Sequence, residues 1–226
     1  VKQSQVLSKT IIDSIPGTFY MIDANGKYFG WNAYQRDEIV GQPESYMKGV
    51  YAIDTIHPDD REIIGSKIAN VLINGAEEVV EGRVLQRGGP DFRWFLMTGC
   101  RMMIDGSPAL IGIGIDITEK KRAEEALHES EEKYRVLFNS FPLGITISDP
   151  SGNIVESNAR GAELLGITKE EQETRRIDGE QWRIVRQDGT PMAVGEYASA
   201  IALKENRLVE NVEMGIVKPN EEITWL

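Results

Sequence analysis

The chain has 226 residues, 41% of them hydrophobic, which is enough for one large or two small packed domains and argues against disorder. Asp and Glu number 36 against 25 Lys and Arg, and the resulting net charge of -11 disfavours binding to nucleic-acid backbones or anionic lipid. The single cysteine, Cys100, excludes an intrachain disulfide and a cysteine-based metal cluster, and the longest apolar run, Ala109–Ile115, is too short to cross a bilayer.

From its first residues the chain lacks both an initiator Met and the apolar segment of a signal peptide, so it reads as a piece of something longer. Helix end, proline, short strand and turn follow in Ser14–Gly26, and the same order recurs in Ser140–Gly152. The offset is constant: 142 − 16 = 126 for Pro, 149 − 23 = 126 for Asp, 152 − 26 = 126 for Gly and 158 − 32 = 126 for Asn. Pro16 and Pro142 end a preceding helix. Phe19 and Met21, like Ile145 and Ile147, alternate at period 2 and are expected to face the core. Asn25-Gly26 and Ser151-Gly152 are turn signals, followed by strands at Lys27–Trp31 and Asn153–Ser157. Asn32 and Asn158 then stand where helix caps are wanted, and Gly41 and Gly166 end short helices.

The first half continues with a longer helix. His57-Pro58-Asp59-Asp60 suits its start, Ile64, Ile68, Val71 and Leu72 share one face, and Gly75 follows its end. Glu78–Leu85, Phe92–Met103 and Ala109–Ile117 read as strands, divided by turns at Gly88-Gly89-Pro90 and Asp105-Gly106. Two strands, helices, then three strands describe an α+β domain.

These residues resemble the PAS family. The D-x-x-G turn, the strand ending in Asn and the HPDD match residues 23–32 and 57–60, and the closing D-I-T before a charged helix matches Asp116-Ile117-Thr118. The resemblance implies two PAS domains, each a five-stranded antiparallel sheet with helices on one face. The first covers residues 7–118, a signalling helix covers 119–138, and the second covers 132–226. Trp225 resembles Trp94, so the second domain is expected to lack its final strand. Asp178–Ala193 replaces the HPDD region there.

Residues 119–141 read as one helix. Ala123, Leu127, Ser130, Tyr134, Leu137 and Phe141 form a short heptad seam, read either as a parallel coiled coil or as an amphipathic helix lying on its own domain. Glu129–Lys133 and Glu131–Arg135 support the helix at i,i+4.

Candidate sites are few. Trp31, Met47, Tyr51, Ile64, Ile68, Leu96, Cys100 and Met102 could line a cavity between sheet and helices, or could simply fill a core. Within that set Cys100 reads as a small buried thiol. Gly112 and Gly114 lie inside a strand, where close approach of a helix or ligand explains them better than a nucleotide loop does. His57 is read as a capping or packing residue, and His128 as solvated. Haem or a flavin stays open through the resemblance alone. The C-x-x-C-H of covalent haem and the cysteine motif of light-sensing relatives are both missing.

The resemblance implies a cytoplasmic sensory input module. It would bind a small ligand or cofactor and relay the change through Asp116 and Thr118 into Leu127 and Tyr134 of the helix. The partners expected are a second copy of the chain and an output domain beyond Leu226, a histidine kinase or a diguanylate cyclase. Nucleic acid and membrane contact are not expected. The alternative is a ligand-free dimerisation scaffold. No nucleophile–base pair, metal spacing or phosphate loop points to an enzyme.

Overall fold

The computed structural model describes residues 2–226, and of residues 2–5 and 8 the backbone alone. It divides into two compact units, the first ending at Leu127 and the second running His128–Leu226.

The first unit opens with helix α1 (Lys2–Asp13), then strands β1 (Thr18–Ile22) and β2 (Tyr28–Trp31). A π-helical turn over Gln35–Val40, a short helix α2 (Glu44–Met47) and the longer α3 (Arg61–Asn74) follow. Strands β3 (Glu78–Leu85), β4 (Phe92–Ile104) and β5 (Ser107–Asp116) complete one antiparallel sheet in the order β2-β1-β5-β4-β3. β5, last in sequence, is central in space: Tyr20 pairs with Gly112 on one side and Cys100 with Ile111 on the other. Local chemistry sets the ends. Gly41 (φ 66°) and Gly75 (φ 73°) take the left-handed conformation that stops a helix.

The HPDD segment works as a clamp. His57 Nδ1 accepts from the Asp59 amide at 3.4 Å, capping the turn that leads into α3. Asp60 accepts the Arg83 backbone N–H at 2.8 Å and the Nε and Nη2 edge of its guanidinium, at 3.0 and 2.6 Å. Helix start and sheet are thereby joined by a bidentate charged pair.

Helix α4 (Thr118–Ser140) leads into the second unit. That unit carries strands β6 (Thr146–Ser148) and β7 (Ile154–Ser157), and helices α5 (Ala159–Leu165) and α6 (Lys169–Glu173). It continues with β8 (Ile184–Val185), α7 (Ala198–Glu205), β9 (Gly215–Val217) and β10 (Ile223–Trp225). Its strands form a β6–β7 pair and a separate β10-β9-β8 sheet, not the single sheet lacking only its final strand that the resemblance implied. In the first unit β5 joins β1 to β4; among the described residues nothing takes that place in the second.

The repeat extends to individual hydrogen bonds. Asp23 Oδ1 accepts from the amides of Asn25 and Lys27, and Asp149 Oδ1 from those of Ser151 and Asn153, all at 2.9 Å. Asn32 Oδ1 accepts from Phe19 and Gln35, and Asn158 Oδ1 from Ile145 and Gly161. The Ala33 amide donates to Asp13 and the Ala159 amide to Asn139. Every one of these partners is displaced by 126 residues.

Strand facing differs from the sequence expectation. Tyr20 and Ile22 line the cavity beneath the helices; Phe19 is buried as expected but outside that cavity, Met21 is half-buried, and Ile147 of β6 is exposed. β1 is apolar on both faces, so alternation could not choose between them.

Candidate functional site

Between the sheet and α3 lies a cavity of about 60 Å³. The inward positions of each strand form its floor: Tyr20 and Ile22, Val80 and Val84, Phe95 and Met97, and Leu110. Ile64, Ile68 and Val71 of α3 cover it. Glycines make the room. A Cβ on Gly112 would stand 2.6 Å from the Tyr20 ring and one on Gly82 2.6 Å from Ile64 Cδ1, so side chains there would occupy the space these residues use.

The polar groups facing the cavity are few and ordered. Tyr20 donates its hydroxyl to the Thr98 carbonyl at 3.1 Å. Gln35 Nε2 donates to the Tyr28 hydroxyl at 3.0 Å, and that hydroxyl lies 3.1 Å from Thr55 Oγ1. The Thr55 proton is committed to the Ala52 carbonyl at 2.7 Å. Tyr28 is therefore the donor to Thr55. Burial pushes the Tyr28 hydroxyl up to about 12, against the lowering effect of its Thr55 and Gln35 hydrogen bonds. Burial also raises Tyr20, with the neighbouring Tyr28 adding to it. At the mouth Lys67 pairs with Glu78 at 2.6 Å, and Asn70 donates to the same carboxylate.

Of the eight residues expected at a cavity, Ile64 and Ile68 line it. Met47 is wholly buried in the adjoining core, against which Trp31 packs, its indole N–H donating to Glu44 at 3.1 Å. Tyr51 is 43% exposed, under the Lys27 ammonium. Leu96, Cys100 and Met102 do not line the cavity. Phe95 and Met97 point inward, so the three alternate positions lie on the sheet's other side, where Cys100 is an exposed thiol and not a core one. β4 is apolar on both faces, and a one-residue choice of phase inverts every assignment. Sequence reading missed Tyr20, Tyr28, Gln35 and Thr55. Their signal was tertiary: one hydrogen-bonded chain joins Gln35, Tyr28 and Thr55 from three separate segments, and Tyr20 bonds separately to Thr98 of β4. His57 lies outside the cavity, its ring edge-on to Phe92 at 5.4 Å.

The end of β5 forms a second cluster. Thr118 Oγ1 accepts the Trp94 amide at 3.0 Å, and Asp116 Oδ1 accepts the Thr118 amide at 2.9 Å. Arg93 donates to Asp116 at 3.2 Å and Lys121 meets Glu81 at 2.6 Å. Burial works to raise the Asp116 carboxyl, but hydrogen bonds from Thr118 and Arg93 prevail and hold it below the usual carboxylate range. The strand that floors the cavity at Leu110 thus ends in the residues that start α4. Along α4, Leu127 is 59% exposed and Tyr134 47%, the latter stacked on Phe138 and donating to Glu156 at 3.0 Å. Ala123, Ser130, Leu137 and Phe141 of the same seam are exposed too.

Residues 132–195 match the model of the PAS domain family. The two-component sensor PprA of Pseudomonas aeruginosa is 26% identical over 96% of the chain, which spans 23% of that protein. The sensor protein TdiS of Thauera aromatica is 32% identical over 39% of the chain, an alignment covering 16% of TdiS. The chain therefore spans less than a quarter of the length of these relatives. Among solved structures, the PAS domain of a Colwellia psychrerythraea protein aligns with 51% of this chain and 98% of its own, at 19% identity and a TM-score of 0.45. The first unit is an α+β fold, a five-stranded antiparallel sheet with helices. Among the described residues no helix is long and apolar enough to cross a membrane, and no group of side chains is placed to hold a metal ion.

Proposed function

We propose that the chain is a tandem pair of PAS domains, residues 7–118 and 132–226, serving as the cytoplasmic sensory input of a longer signal-transduction protein. A small molecule in the first unit's cavity biases the packing of the sheet. The change passes along β5 through Asp116 and Thr118 into α4. From there it reaches an output domain, by likeness to the sensor kinases a histidine kinase and in a second reading a diguanylate cyclase. Coupling of this kind is a free-energy difference between two packings, not proximity. The observation that carries the reading is the continuity of β5, which floors the cavity at Leu110 and holds the start of α4 at Asp116. The module itself is read as non-catalytic.

Haem and flavins do not fit the cavity as it stands: about 60 Å³ is well below the roughly 300–1,000 Å³ of sites for drug-sized ligands. The test is Thr118→Val in the full-length protein. Signal-dependent output should fall at unchanged protein level, and unaffected output would remove this route.

A second reading, a dimerisation scaffold without ligand, is favoured by the exposed seam of α4. A homodimer is part of both readings. Native mass combined with extraction of bound small molecules separates them, because only the sensor reading requires a ligand.

A further inference from the structure

We infer that the first unit's cavity selects a small, uncharged, largely apolar molecule carrying a hydrogen-bond donor, a short-chain alcohol by chemical class, which donates to Gln35 Oε1. The inference rests on the cavity being the sensory site.

Gln35 is 2% exposed and lines the cavity. Its Nε2 donates to Tyr28, while its Oε1 accepts no hydrogen bond among the described residues. The orientation of the amide follows from proton accounting. Thr55 has given its only hydroxyl proton to Ala52, so Tyr28 must give its own to Thr55. If the amide were turned over, Tyr28 would have to donate to Gln35, and the 3.1 Å contact between Tyr28 and Thr55 would hold no proton. The group left for a ligand is thus a carbonyl oxygen, an acceptor that calls for a donor.

Charge and size narrow the class. The one ammonium at the cavity, Lys67, is engaged by Glu78, so a carboxylate would meet an acceptor and no free cation. The burial that raises Tyr20 and Tyr28 penalises any ion placed beside them. About 60 Å³ admits roughly four to six water-sized groups, and Ile22, Val71, Phe95 and Leu110 make most of the wall apolar.

The experiment is a titration of the isotopically labelled 226-residue chain with 1-butanol, 1-chlorobutane and sodium butyrate, followed by nuclear magnetic resonance. Shifts that grow linearly with probe concentration and never saturate report non-specific solvent effects. Saturable shifts at the Gln35 side-chain amide with 1-butanol, at least tenfold tighter than with the other two, are expected. Chlorobutane is the more apolar and would bind tighter to a merely greasy void. Gln35→Met should bring 1-butanol down to the chlorobutane level. If chlorobutane or butyrate binds the wild-type chain as tightly as 1-butanol, the ligand class is wrong while the cavity stands. If no probe binds saturably, the cavity reading falls as well. The comparison on wild-type protein decides the matter even where Gln35→Met fails to fold.

Discussion

Asn158 Nδ2 donates to the Phe138 carbonyl at 2.9 Å, so a fully buried side chain of the second unit holds the last turn of α4. The same amide donates to Leu143 at 2.9 Å, and Oδ1 accepts from Ile145 and Gly161, both at 2.8 Å. Helix end, first strand and following helix of that unit thus converge on one residue. Asn158→Ala should destabilise the second unit by about 3 kcal/mol or more, since several buried groups lose their partners together. Thermal unfolding followed separately in each unit checks this, and the first unit should be unchanged.

Gln172 stands six residues after Gly166, as Met47 stands six after Gly41, and both side chains are fully buried. Neither amide atom of Gln172 has a hydrogen-bond partner among the described residues. Gln172→Met should therefore stabilise the second unit by about 1–2 kcal/mol, because an unsatisfied amide is replaced by a side chain without one. A lowered unfolding midpoint would show that the amide has a partner in solution.

Phe95 is wholly buried and forms part of the cavity floor. Phe95→Ala should cost about 3–5 kcal/mol in chemical denaturation and enlarge the cavity. Gly112→Ala should also destabilise the first unit, by about 1–3 kcal/mol, because its Cβ meets the Thr98 carbonyl oxygen and the Tyr20 ring.

The Asp60–Arg83 pair predicts a pH dependence. The Arg83 guanidinium, and after it the Arg83 backbone N–H, hold the Asp60 carboxyl below its ordinary value, against burial, which works to raise it. A carboxyl depressed in the folded state contributes stability above its unfolded pKa and loses it as pH falls through the folded one. Asp60→Asn should lower the melting temperature at pH 7, and the difference from wild type should begin to shrink as pH falls below about 4 and vanish only once pH is below the folded-state value. A difference that persists into acid would assign the effect to shape and not to charge.

The repeat was legible because it rests on short-range chemistry. An Asp that closes its own turn, an Asn that bonds within a few residues and glycines with positive φ leave marks at fixed spacing. HPDD was legible as a helix start but not as the clamp on Arg83, because a partner about twenty residues away leaves no periodic trace. The facing of β4 was not legible: Phe95 and Met97 are no more apolar than Leu96 and Met102, and only the sheet's packing against α3 chooses between them. The polar chain from Gln35 to Ala52 was invisible for the same reason. Trp225 matching Trp94 implied a second sheet without its last strand, but not the separation of β6–β7 from β10-β9-β8.

Exposure of Leu127 and Leu137 along one stripe of α4 predicts self-association. Leu127→Glu with Leu137→Glu should shift a dimer toward monomer in sedimentation while each unit keeps its fold. An unchanged dimer would place the contact elsewhere.

The most direct test of the relay is amide hydrogen exchange over Ile117–Leu127 with the cavity empty and then occupied by 1-butanol. Occupancy should change protection along that segment, and Thr118→Val should abolish the change while leaving the shift at Gln35 intact. A filled cavity with unaltered exchange at the start of α4 would contradict the account.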